Sequence, residues 1–298
     1  MTHIKRNVSI VMASFAFILI WVLLYYAIVE ENVKMGSKVT LKTIFTPFTT
    51  LLLVMIIANL GEYVIEALLF DQYASSLVST EILETIRTVC DCAGEYSYLT
   101  YGLLRADAIV KMIFPKFQPI LKKLQRFAVP VAFLVEAGSR ILAFVYATNI
   151  LDNTILLVHY IVSAVNGLLI IFVDAVCLIA FIRFLRRIQE DVDSLDNRFI
   201  IISRYGIVSV IVCISALGFS IAYSFTQEET WSLIIYLHFS AIVLVLFLMK
   251  RALLEDRKTT NEAPSRRLES GEHSIIKRMT VTKEAKTMET SFTKKSHI

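Results

Sequence analysis

From Val8 to Val29 the chain runs through 22 residues without a single charge, and no soluble fold has a use for a continuous apolar stretch of that length. A bilayer core about 30 Å thick is crossed by about 20 mostly apolar residues of helix. Helix is the form expected, because in hydrocarbon the backbone must satisfy its own hydrogen bonds. Comparable blocks recur along the chain. Hydrophobic residues, glycine excluded, make up 56% of the 298, and the mean hydropathy is +0.64. Soluble chains average about 45–50% even with glycine counted. A soluble enzyme, a nucleic-acid binder and a disordered chain are all disfavoured. The 4 cysteines form neither a disulfide framework nor a zinc spacing.

Seven candidate spans follow: 8–29, 48–69, 88–110, 127–147, 155–187, 200–225 and 231–249, with a polar tail over 250–298. The expected fold is therefore all-α, a seven-helix transmembrane bundle over 1–249 followed by a basic, Ser/Thr-rich and disordered tail. The third span is the weakest by hydropathy, because it holds Asp91, Glu95, Arg105 and Asp107. Its polar residues nevertheless fall on one stripe. Arg87, Asp91, Glu95, Tyr98, Gly102 and Arg105 step by three or four and share a helical face. Such a helix crosses lipid only inside a bundle, with the stripe turned inward. The competing reading is an amphipathic helix lying on the surface.

The loops set the expected orientation. Twenty-five of the 30 Lys and Arg fall in the 1–2, 3–4 and 5–6 connections and the tail. The opposite loops offer Arg87 against Asp71, Glu81, Glu84, Asp152, Glu228 and Glu229. By the positive-inside rule the basic loops and tail are cytoplasmic, the amino terminus is outside, and a multi-pass protein of the plasma membrane is expected. Lys5 and Arg6 before the first span resemble a signal peptide's start. That stretch is too long, however, and ends Tyr26-Ala27-Ile28-Val29-Glu30-Glu31 without a small-x-small site.

Charges at membrane depth cost roughly 2.5–3.5 kcal/mol each and call for partners or a purpose. Asn59, Glu62 and Glu66 share a face of the second span, Asp91, Glu95 and Tyr98 lie on the third, and Glu136 precedes Arg140 by one turn on the fourth. The last spacing favours an ion pair. His159, Asn166 and Asp174 align on the fifth span, and His238 sits in the seventh. If these faces converge, they make an acidic, water-accessible outer cavity for a small cationic or hydrogen-bonding ligand. The plainer reading is an interhelical network that holds the bundle together. At the inner end Asp107 and Lys111 form a favourable i, i+4 pair, and Arg105 lies about one turn from the surface. In the tail, Ser270 and Thr280 follow paired bases at the spacing that basic-directed kinases favour, and phosphorylation there would weaken attraction to an anionic leaflet.

Enzyme chemistry is not expected and no metal or cofactor is implied. Only His159 and His238 lie in spans, neither with a histidine at i+4, and no Gly-x-Ser-x-Gly elbow occurs. Seven spans, an outside amino terminus, short outer loops and a phosphorylatable tail resemble the layout of G-protein-coupled receptors. At the inner end of the third span, where the rhodopsin-like class has an acidic-Arg-aromatic triplet, the chain reads Leu104-Arg105-Ala106-Asp107. The sixth span lacks that class's Cys-Trp-x-Pro, and the seventh reads Leu237-His238-Phe239-Ser240 where Asn-Pro-x-x-Tyr would stand. The resemblance implies a small ligand in the outer half and signalling through cytoplasmic loops. Arg105 and Asp107 would form the inner switch and a heterotrimeric G protein the partner, beside membrane lipid and with no nucleic acid. A proton- or cation-coupled transporter using intramembrane carboxylates, and a scaffolding membrane protein, are the competing classes.

Overall fold

The computed structural model describes residues 2–34, 38–70, 80–146, 152–190, 197–226, 230–231 and 233–257. Residues 1–250 form one compact unit. Among the described residues every regular element is helical. The long helices are α1 (Thr2–Tyr25), α2 (Pro47–Leu69), α3 (Thr80–Ile113), α4 (Val129–Tyr146), α5 (Asp152–Glu190), α6 (Asn197–Thr226) and α7 (Leu233–Arg257).

Local chemistry explains several boundaries. Pro47 opens α2 in the first turn, where its missing N–H costs nothing, and the Thr46 hydroxyl caps the helix by accepting from Thr49 N at 3.3 Å. Just upstream, Thr40 and Thr43 cap a short helix, Leu41–Ile44, reciprocally. At its far end α1 loosens into π-helical turns over Tyr26–Val33. The Asn32 amide donates to the Ala27 carbonyl there at 2.7 Å, a side-chain bond that competes with the ordinary helical ladder. A second π-helical stretch, Leu124–Ala128, joins a short helix, Gln118–Lys123, to α4.

Six helical segments are long and apolar enough to cross a membrane: His3–Val33, Pro47–Leu69, Gln118–Val145, Leu157–Arg187, Asn197–Tyr223 and Leu233–Arg257. These make the chain a polytopic, all-helical membrane protein. The Thr80–Ile113 helix is not among them, because its charges lower its hydropathy. At 34 residues it extends beyond the expected 88–110 at both ends and is about 50 Å long.

The distribution of polarity is that of a bundle made for lipid. Large apolar side chains point outward, among them Trp21, Phe17, Leu134, Val145, Leu168 and Ile211, whereas Glu62, Glu66, Arg105, Glu136, Asn166 and Asp174 are buried. In water such an apolar girdle would be an aggregation surface; in hydrocarbon it is the favourable one.

α3 packs against α2, α4, α5 and α6. Its stretch from Ser97 to Tyr101 is buried on every side by the neighbouring helices. Close approach is secured by two glycines. A Cβ on Gly61 of α2 would stand 2.7 Å from Cys90 Sγ of α3, and one on Gly206 of α6 would stand 2.4 Å from Phe181 Cε2 of α5. α7 completes the arrangement through Tyr63 of α2, whose hydroxyl donates to the Tyr236 carbonyl at 3.0 Å and lies 2.7 Å from Ser240 Oγ.

Candidate functional site

An interior cavity of about 100 Å³ opens between α2, α3, α5, α6 and α7. Of the residues named from sequence, Glu62, Asp91, Glu95 and Tyr98 line it. The helical step explains their convergence: Asp91, Glu95 and Tyr98 occupy successive turns of the α3 stripe, and Glu62 of α2 stands directly against Asp91. Asn59 and Ser220 add hydrogen-bonding groups, and Phe239, Ile170 and Val243 supply apolar wall. Three carboxyl groups therefore share one small, largely apolar hollow. One Glu62 oxygen is buried without a hydrogen-bond partner.

Arg87, one turn along the stripe, does not line the cavity. It stands beside it, with Nη1 3.1 Å from Glu66 Oε2 of α2 and Nη2 donating to the Tyr236 hydroxyl of α7 at 3.1 Å. Glu84 lies 3.8 Å from the same guanidinium. This cluster ties three helices together next to the acidic hollow. Glu66 thus belongs to a structural knot rather than to the cavity wall.

The remaining acids lie behind α3. The Tyr98 hydroxyl donates to Asp174 Oδ2 of α5 at 3.0 Å, with Cys213 of α6 against both. Glu136 of α4 accepts from Asn166 Nδ2 at 2.5 Å, so the ion pair expected with Arg140 gives way to an amide partner on α5. Among the described residues Arg140 makes no ion pair with Glu136; helix geometry turns the Glu136 carboxyl inward while Arg140 stays half-exposed. His159 lies 3.1 Å from Ser139 Oγ, across the α4–α5 seam. His238 lies 3.0 Å from Ser215 Oγ and 5.0 Å, ring to ring, from Phe219, both on α6. Neither histidine lines the cavity, and among the described residues no group of three His, Cys, Asp or Glu is placed to hold a metal ion.

At the basic end Arg105 is buried. Its Nη2 donates to Ser209 Oγ of α6 at 2.9 Å, and the guanidinium lies over the Phe181 ring of α5 at 5.4 Å. Asp107 accepts from Gln118 Nε2 at 3.0 Å and lies 3.5 Å from Lys122 Nζ. The i, i+4 partner expected from sequence, Lys111, is replaced because the chain turns back after α3 and brings Gln118 and Lys122 alongside. Lys250, read from sequence as the start of the tail, is buried in the bundle. Its Nζ stands 3.0 Å from Glu31 and donates to Thr49 Oγ1 at 2.5 Å, joining α7 to the ends of α1 and α2. Ser270 and Thr280 lie outside the described residues.

Sequence reasoning overlooked Tyr63, Cys213, Ser209 and Phe181. The only signal for Tyr63 was its place beside Glu62 on α2; a serine or phenylalanine in an apolar span carries none. The chain matches no protein-family model, and no curated protein matches it.

Proposed function

We propose that this protein is a seven-helix membrane receptor for a small cationic ligand, with α3 as the seventh crossing, the basic end cytoplasmic and the plasma membrane its site. The observation that carries the reading is the cavity in which Glu62, Asp91 and Glu95 converge among apolar walls. A protonated amine would supply the countercharge these carboxyls lack, Asn59 and Tyr98 would orient it, and Phe239 adds an aromatic ring to the wall. α3 links this hollow to the basic end, because the same stripe continues through Tyr98 to Arg105, whose contacts lie on α5 and α6. A ligand that repositions α3 would therefore bear on the surface where a heterotrimeric G protein or another effector would dock. Phosphorylation at Ser270 and Thr280 would tune the tail's attraction to the membrane.

The test is a thermal-shift and binding screen of primary and quaternary ammonium compounds on the purified chain in lipid nanodiscs. A stabilising compound whose effect is lost in Glu62→Gln, Asp91→Asn or Glu95→Gln supports the reading. A full set of ammonium compounds without effect, or one whose effect survives all three amides, sinks it.

The apposition of Glu62 with Asp91, and of Glu95 with Glu136 behind it, favours a second reading, a proton- or cation-coupled transporter. Flux into liposomes under an imposed proton gradient, abolished by the same amide substitutions, would select it over the receptor.

A further inference from the structure

We propose that a groove between α3 and the start of the fourth apolar segment holds the phosphorylated headgroup of an anionic membrane lipid. The groove has a volume of about 670 Å³ and is lined by Tyr96 and Thr100 of α3 with Lys122, Lys123, Arg126 and Phe127. Three cations therefore edge it, and no carboxylate lines it. Lys122 is 3.5 Å from Asp107, which lies outside the lining, so Lys123 and Arg126 carry most of the positive charge toward a ligand.

The placement matters as much as the charge. All three cations fall in the first turns of the Gln118–Val145 segment, where apolar sequence begins and a headgroup would lie. Phe127 is 64% exposed, and Val131 and Leu134 beyond it are 58% and 71% exposed. An exposed apolar strip thus leads from the cations along the helix, as an acyl chain would. A free phosphate would satisfy the cations and leave that strip uncovered; a lipid covers both. Basic pockets between membrane helices on the cytoplasmic side recognise such headgroups by this combination.

Two further features point to a ligand. Thr100 is buried, lines the groove, and its hydroxyl has no hydrogen-bond partner. The oxygen is closed off as it stands; a rotation of the side chain would turn it to the groove, where a phosphate oxygen would accept from it. The π-helical turns of Leu124–Ala128 contain Arg126 and Phe127, and such insertions are found preferentially at functional sites. The inference rests on the proposed orientation, with the basic end cytoplasmic, but it is independent of what the acidic cavity binds.

The experiment is native mass spectrometry of the full chain titrated with phosphatidylinositol bisphosphate in a background of phosphatidylcholine. At about 1 kcal/mol per basic residue, each lost charge weakens binding about fivefold, so Lys122→Gln/Lys123→Gln/Arg126→Gln is expected to weaken it roughly a hundredfold. A tail variant, Arg266→Gln/Arg267→Gln/Lys277→Gln/Arg278→Gln, is expected to leave it within a few-fold. Thermal unfolding in phosphatidylcholine alone checks that the groove variant folds. Should it not, Lys123→Gln and Arg126→Gln singly, each about fivefold weaker, decide the matter. No preference for the phosphorylated lipid, or a loss confined to the tail variant, overturns the proposal. Soluble inositol trisphosphate competing at the same concentration as the lipid overturns it too, because the site would then be one for aqueous phosphate.

Discussion

The Tyr98 hydroxyl donates a 3.0 Å hydrogen bond to Asp174 Oδ2, joining α3 to α5 deep in the bundle. Both side chains are buried, so losing the bond would leave a polar group without its partner inside the bundle. Tyr98→Phe removes the donor and keeps the ring. A loss of about 1.5–3 kcal/mol is expected, the range for hydrogen bonds to charged groups. Thermal unfolding in detergent measures it, and an unchanged midpoint would show that the bond contributes nothing.

Glu62 faces Asp91 across the α2–α3 contact, and one of its carboxyl oxygens is buried without a hydrogen-bond partner. Glu62→Gln is expected to raise stability by about 0.5–2 kcal/mol while lowering affinity for ammonium compounds, the usual trade between a site and its scaffold. Parallel unfolding and binding measurements check both signs, and a destabilised variant contradicts the expectation.

The Glu66–Arg87 pair lies between α2 and α3, with Glu66 almost fully buried. Removing one partner strands the other. Arg87→Met is expected to cost about 3 kcal/mol, and the double variant with Glu66→Gln is expected to recover part of that. A double-mutant cycle reads the coupling directly, and a value near zero would mean the pair is incidental.

Gly206→Ala supplies a test by sign. In an unobstructed helix the change would stabilise by about 1 kcal/mol. Here the new Cβ would stand 2.4 Å from Phe181 Cε2, so a loss of about 1–3 kcal/mol is expected instead. Combining it with Phe181→Leu, which clears the space, should show favourable coupling in the same unfolding assay.

Glycosylation sequons placed in the connections check the number of crossings. With α3 across the membrane, sequons within 71–79 and 147–151 are expected to be modified and one within 191–196 is not. Modification of sequons placed in both 71–79 and 114–117 would mean that α3 does not cross.

Much of the site was written in one helix. The stripe of Arg87, Asp91, Glu95, Tyr98 and Arg105 follows from a period of 3.6 residues per turn, and Glu62 from its place in an apolar span. Pairing was harder to read. Local spacing favoured Glu136 with Arg140 and Asp107 with Lys111, yet both acids turn to partners on other segments, Asn166 on one side and Gln118 with Lys122 on the other. A neighbour four residues away competes with every group that a second helix brings within 3 Å, and sequence distance says nothing about the second kind.

The apolar blocks, by themselves, required helices embedded in lipid with any polar group they carry shielded, because hydrocarbon leaves no other place for a peptide backbone or a carboxylate. Which acids share a hollow, which are bound by amides, and that Lys250 lies inside rather than on the tail were decided only by tertiary structure. Those outcomes depend on how helices far apart in the chain come to face one another, and that is set by packing at positions such as Gly61 and Gly206.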